Sequence, residues 1–169
     1  IFNKNTSTLK QKWTCITFTL NFNFEFISAV RIGREDDGDW DMCIMPSFGV
    51  KVSNYLTYSF GINNIMDFDD AVAQKYQCTV RTFDPSMTSL PDHMQCPSKG
   101  WIYRIGLGKE DTKWSNGWKI MKMSSFLNFF EEMDNVIDIL KIDIEYSEWG
   151  AFESMIHDGI LSNVKQFMF

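Results

Sequence analysis

From residue 136 to residue 142 nearly every position is apolar: Val136, Ile137, Ile139, Leu140 and Ile142 are interrupted only by Asp138 and Lys141. A short β-branched run of this kind predicts a strand buried on both faces of a parallel sheet. The pattern turns polar at Asp143 and Glu145. Behind Ser147, a residue type suited to an N-cap, Trp149, Phe152 and Ile156 return at helical spacing, and Gly159 marks the stop. Two carboxylates therefore stand where a buried strand gives way to a helix. In open α/β sheets that is the side on which ligands bind. Residues two apart share a face of a strand, so Lys141, Asp143 and Glu145 are expected to point the same way. The plainer alternative is a buried ion pair that only fixes the strand end.

The rest of the chain alternates between the two periods. Residues 16–26 place Ile16, Phe18, Leu20, Phe22, Phe24 and Phe26 at every second position, an amphipathic strand. The segment REDDGDWD, 34–41, reads as an acidic surface loop. A strand over 54–60 ends at Gly61, and Asp67 is placed to cap a helix carrying Phe68, Val72 and Tyr76 at four-residue steps. A second strand over 78–83 stops at Asp84-Pro85, because proline cannot continue a central ladder. A third over 101–105 breaks at Gly106-Leu107-Gly108, and Asn116-Gly117 signals a hairpin. Ser124 or Ser125 starts a helix through Phe126, Phe129, Phe130 and Met133, and 164–169 is a last strand. Strands alternating with helices predict right-handed crossovers and a mostly parallel α/β sheet.

A chain of 169 residues makes one domain, and 44% hydrophobic with 15% aromatic residues makes it a packed one. The net charge of −6 argues against nucleic acid as a partner, and no apolar segment is long enough to span a membrane. Cys15, Cys43, Cys78 and Cys96 are widely spaced with no paired-cysteine motif, so no metal is expected, and disulfides are allowed without being implied. His157 falls near a helix C-terminus, where it complements the dipole.

The chemistry-bearing features are a strand ending in a glycine turn, residues 59–64, an acid some twenty residues on, Asp84, and the later carboxylates. An acid closing the second strand suits ribose hydroxyls, so the expected occupant contains a nucleoside. A dinucleotide calls for a fuller glycine fingerprint than the single Gly61 supplies. That leaves a cofactor without phosphates, such as S-adenosylmethionine.

Tyr58-Ser59-Phe60-Gly61-Ile62-Asn63-Asn64, Phe83-Asp84-Pro85-Ser86-Met87 and Leu140-Lys141-Ile142-Asp143-Ile144-Glu145-Tyr146-Ser147-Glu148-Trp149 together resemble the methyltransferase-like 24 family. That family is similar to the wider FkbM-type methyltransferases of the class I S-adenosylmethionine-dependent fold. Gly38-Asp39-Trp40-Asp41-Met42-Cys43 resembles the family's segment before the first core strand. The likeness covers residues 30–169, read as a partial methyltransferase domain behind an N-terminal segment, 1–29. It implies cofactor contacts at Ser59, Phe60, Gly61 and Ile62, with Asp84 at the ribose. Asp143 and Glu145 then face the transferred methyl or its acceptor, and Lys141 balances their charge.

Tyr146 stands where FkbM-type sequences commonly have glycine, which suggests a less open loop. The chain also ends in what the resemblance makes the fifth strand. The expected fold is thus a Rossmann-like class I methyltransferase sheet, mostly parallel and C-terminally truncated, whose bare last strand invites self-association. The expected function is methyl transfer from S-adenosylmethionine to an oxygen of an acceptor that the sequence does not identify. The alternative is a non-catalytic cofactor-binding or interaction domain.

Overall fold

The computed structural model describes residues 28–33, 40–44, 55–87, 93–95 and 101–169. The strand expected over 16–26 and most of the acidic segment lie outside them; the last two residues of that segment, Trp40 and Asp41, begin a strand. Strands β1 (Ser28–Ile32) and β2 (Trp40–Ile44) pair antiparallel as a ribbon. The central strands follow: β3 (Leu56–Phe60), helix α1 (Asp67–Tyr76), β4 (Thr79–Phe83), β5 (His93–Gln95) and β6 (Trp101–Tyr103). A small sheet comes next, from β7 (Gly106–Leu107), β8 (Thr112–Lys113) and β9 (Lys119–Met121). The chain continues through α2 (Met123–Phe129), β10 (Ile139–Ile142), α3 (Glu148–His157), a 3₁₀ turn over Ile160–Asn163 and β11 (Phe167–Met168).

The main sheet has the order β11-β10-β3-β4-β6-β5, with only the β5–β6 pair antiparallel. The expected mostly parallel, Rossmann-like sheet is therefore present. β3 sits at its centre because it is buried along its whole length, as is β10 beside it. Strand alternation then assigns the two faces. Leu56, Tyr58 and Phe60 of β3, with Leu140 and Ile142 of β10, pack on Phe126 and Leu127 of α2 and Ala151 and Met155 of α3. On the opposite face Val80, Ile139 and Met168 pack on Phe68, Val72 and Tyr76 of α1 and on Ile32 and Met42 of the ribbon.

Buried polar groups lock the strands together. The Tyr58 hydroxyl donates to Glu132 at 2.5 Å, and Arg81 holds the same carboxylate through two nitrogens while its guanidinium lies 3.9 Å from the centre of the Phe130 ring. Such a fork-on-carboxylate bond fixes geometry as well as adding energy. The Asp138 carboxylate accepts the Leu56 amide and the Lys165 ammonium at the other end of β3. Gln166 uses its side-chain amide like a short strand, accepting from the Cys43 amide and donating to the Cys43 carbonyl, which fastens the ribbon beside β11.

Some expectations are adjusted. Asp67 is the first helical residue of α1 and Met66 its cap. In α3 only Phe152 of the expected stripe is partly buried against the core: Trp149 and Ile156 are exposed, and the helix packs mainly through Ala151 and Met155. Phe152 joins Trp149, Phe167 of β11 and Phe169 in an aromatic group at the edge of the sheet. Cys43 is disulfide-bonded to a partner outside the described residues, and Cys78 is a buried free thiol. Among the described residues no helix is long and apolar enough to cross a membrane.

Candidate functional site

A cavity of about 390 Å³ opens at the carboxyl ends of β3, β4 and β10. That size falls within the roughly 300–1,000 Å³ of small-molecule sites. Its central rim is the turn after β3. Gly61 has φ +75°, and a Cβ there would fall on the carbonyl oxygen of Asp143. The glycine is thus required because the turn lies directly against the end of β10, not because a ligand needs the room. Its amide donates to the Phe83 carbonyl at 2.9 Å. Asn63 and Asn64 continue with φ of 43° and 63°, in the left-handed region that asparagine tolerates better than most residues.

Asp84 closes β4 and clamps this turn. One carboxylate oxygen accepts the amides of Ile62 at 3.0 Å and Asn63 at 2.8 Å; the other accepts the Ser86 amide at 2.8 Å and the Ser86 hydroxyl at 2.6 Å. A carboxylate offers about four acceptor positions, so these donors fill it. The Ser86 hydroxyl is the one of them that can rotate away for an incoming ligand hydroxyl.

The cavity floor is polar on the α1 face of the sheet. Lys141 is 4% exposed, donates to the Gly61 carbonyl at 2.7 Å, and lies 4.9 Å from the centre of the Trp40 ring. Burial lowers its pKa, opposed by the negative charges of Asp69, Asp143 and Asp84. Asp69, in the first turn of α1, is 3% exposed and accepts the Thr82 hydroxyl at 2.7 Å through Oδ1. Burial raises its pKa, opposed by Lys141 and by the Thr82 and Ser59 hydroxyls. Its Oδ2 has no hydrogen-bond partner among the described residues.

The two ends of the cavity differ in character. Past β10, Asp143 and Glu145 are exposed and line it together with Ile144 and Ser147. Glu145 and Tyr146 both have positive φ, 49° and 70°, the left-handed region that glycine adopts at least cost. Past β4 and β6 the wall is apolar: Pro85, Leu107, Ile120, Trp114 and Trp118, with Gly106 so tightly placed that a Cβ would come within 2.7 Å of Ile120 and 2.9 Å of Pro85. Trp114 and Trp118 stack at 6.0 Å across the β8–β9 hairpin.

Of the residues expected at the site, Gly61, Ile62, Asp84, Lys141, Asp143 and Glu145 line this one cavity. Ser59 and Phe60 do not: both are fully buried, Phe60 in the aromatic stack with Phe83 and Phe126, Ser59 beneath the floor. Asp69 and the tryptophans were not anticipated. Asp69 carried a signal, since it shares the apolar stripe of Val72, Ala73 and Tyr76, where a charge has no reason to sit without a task.

A mostly parallel sheet of this order with its cavity at the strand ends is a Rossmann-like fold. The chain belongs to the family described as "Methyltransferase domain", whose model matches residues 2–168. It is 27% identical over 142 residues to the rat protein "Probable methyltransferase-like protein 24" and 26% identical to the human protein of the same name. Each alignment covers 77% of this chain and 37% of the relative, so the chain spans little more than a third of their length. No solved structure matches it.

Proposed function

We propose that this chain forms the S-adenosylmethionine-binding part of a methyltransferase and that the methyl acceptor is a hydroxyl. The observation that carries the reading is the polarity of the cavity. Its apolar, tryptophan-bearing end suits a nucleobase, and its other end is acidic. The first turn of α1 holds Asp67, Asp69 and Asp70, which disfavours a phosphate at that helix start and favours a cationic ligand. S-adenosylmethionine, when bound, supplies a methyl group on a positively charged sulfur.

The chain's own residues have distinct tasks in this reading. The 61–63 turn supports the centre of the cofactor, with Ile62 against it. Asp84 holds the ribose, sharing its carboxylate with the turn amides and displacing the Ser86 hydroxyl. Ser59 and Phe60 act from behind, as packing under the turn. Asp143 orients or deprotonates the acceptor hydroxyl, Glu145 assists, and the Lys141 charge offsets both.

Titration calorimetry with S-adenosylmethionine and S-adenosylhomocysteine tests the cofactor. Millimolar or weaker binding of both would sink the reading. Methyl transfer by the full-length protein to hydroxyl-bearing acceptors tests the reaction, and tight binding without turnover would assign the non-catalytic role instead.

A further inference from the structure

Two large aromatic rings stand bare at the acidic end of the cavity. Tyr146 is 94% exposed, and Trp149, in the first turn of α3, is 77% exposed. Both flank Ser147, which lines the cavity together with Asp143, Ile144 and Glu145. The turn that carries them is held in place. The Glu148 carboxylate accepts the Ile144 amide at 3.0 Å, and the Asp143 amide donates to the Phe60 carbonyl at 3.0 Å. Tyr146 pays for its place with φ +70°, and a ring so exposed recovers none of that cost by packing. Among the described residues, neither the Asp143 nor the Glu145 carboxylate accepts a hydrogen bond, so both have room for a donor from outside.

We propose that Tyr146 and Trp149 form a ledge on which the methyl acceptor docks, and that the acceptor is a neutral polyhydroxylated ring of the saccharide class. This rests on the methyl-transfer reading above and names the kind of hydroxyl that the site takes. Charge selects the class. Asp143 and Glu145 repel an anionic acceptor. A cationic one would be set beside the positive sulfur of the methyl donor, like charge against like. A purely apolar acceptor would cover the two carboxylates without offering them a donor. A neutral ring of hydroxyls meets every demand: its O–H groups donate to the carboxylates, and its C–H face rests on the electron-rich face of an aromatic side chain.

Three matched pyranosides test the ledge in the chain saturated with S-adenosylmethionine. Methyl glucoside is neutral, methyl glucosaminide is cationic and methyl glucuronide is anionic. Nuclear magnetic resonance shifts of the 144–149 amides report their binding. Methyl glucoside is expected to bind tightest, with each charged ring weaker by about fivefold. Tyr146→Gly and Trp149→Ala are each expected to weaken methyl glucoside about fivefold while S-adenosylmethionine stays within a factor of about two. Tyr146→Phe keeps the ring and is expected to keep the affinity. Unchanged methyl glucoside affinity in either ring-deleting variant overturns the inference and leaves the methyl-transfer reading standing. So does a charged pyranoside that binds as tightly as the neutral one, or a chain that binds S-adenosylmethionine and no pyranoside. A chain that does not bind S-adenosylmethionine removes the methyl-transfer reading and the inference with it.

Discussion

Asp84 holds the Ile62 and Asn63 amides on one oxygen and both donors of Ser86 on the other, so it organises the cavity rim before any ligand arrives. Asp84→Asn sets an amide nitrogen against backbone donors on one side or the other. We expect a loss of about 1–3 kcal/mol, and a melting point lower by roughly 2–4 °C per kcal/mol. The sequence alone suggested a ribose contact. A variant that melts with the wild type while losing cofactor would restore that simpler picture.

Tyr146 has φ +70° and is 94% exposed, so its side chain packs on little. A left-handed residue that is not glycine costs about 1–2 kcal/mol, partly offset by the extra chain entropy that glycine loses on folding. Tyr146→Gly should stabilise the chain by about 0.5–1 kcal/mol. Denaturant titration decides it, and a lower midpoint would mean that the tyrosine ring makes contacts worth more than the strain.

The buried Asp69 carboxyl is raised by desolvation, so the native state binds its proton more tightly than the unfolded chain does. Its contribution to stability is therefore fully present below the unfolded carboxylate pKa and lost as pH rises through the folded one. Asp69→Asn should accordingly become more stabilising, relative to wild type, from acid towards neutral pH. Melts at several pH values test this; a difference that does not vary with pH would show Asp69 to be fully compensated by Lys141.

Asp143 lines the cavity from the tip of β10 and is exposed, with its backbone amide bonded to the Phe60 carbonyl. In the full-length protein Asp143→Asn should lower turnover by roughly 10²–10⁴-fold while cofactor affinity changes little. Unchanged turnover would leave Asp143 without a chemical role.

β11, which carries Phe167, pairs with β10 on one side, and the exposed Phe169 follows it. Strand edges with apolar neighbours template pairing with further copies. We expect the isolated chain to self-associate with rising concentration, read by light scattering after size exclusion. A monomer across the range would mean that the edge is covered, whether by residues 16–26 or by another segment.

Much of the sheet was legible because its strands are coded by short buried runs. The continuous apolar stretch before Asp143 became β10, the strand stopped by Pro85 became β4, and Asn116-Gly117 turned the β8–β9 hairpin, with Gly117 at φ 90°. Lys141, Asp143 and Glu145 do line one cavity, though β10 ends at Ile142 and the last two reach it from the turn that follows. Periodicity misled in α3 because it records that residues share a face, not which face is covered: Ala151 is small enough to let the helix approach the sheet, whereas Trp149 is not. The saturation of Asp84 was invisible because its donors are backbone amides, which every residue carries. The tryptophans were missed because Trp40 on the β1–β2 ribbon and the stacked Trp114 and Trp118 of the small sheet reach one cavity only when both units fold over the same strand ends.

The contact between Gly61 and the Asp143 carbonyl has a mechanical meaning. The turn that would support the methyl donor and the acid that would meet the acceptor are two parts of one rigid jaw, braced by the Lys141 bond to Gly61 and the Asp143 bond to Phe60. Neither can shift without carrying the other. Their spacing is set once, when the chain folds, and is not readjusted for each ligand. Whatever accommodation an acceptor needs must come from the opposite jaw, the short β8–β9 hairpin with its stacked tryptophans.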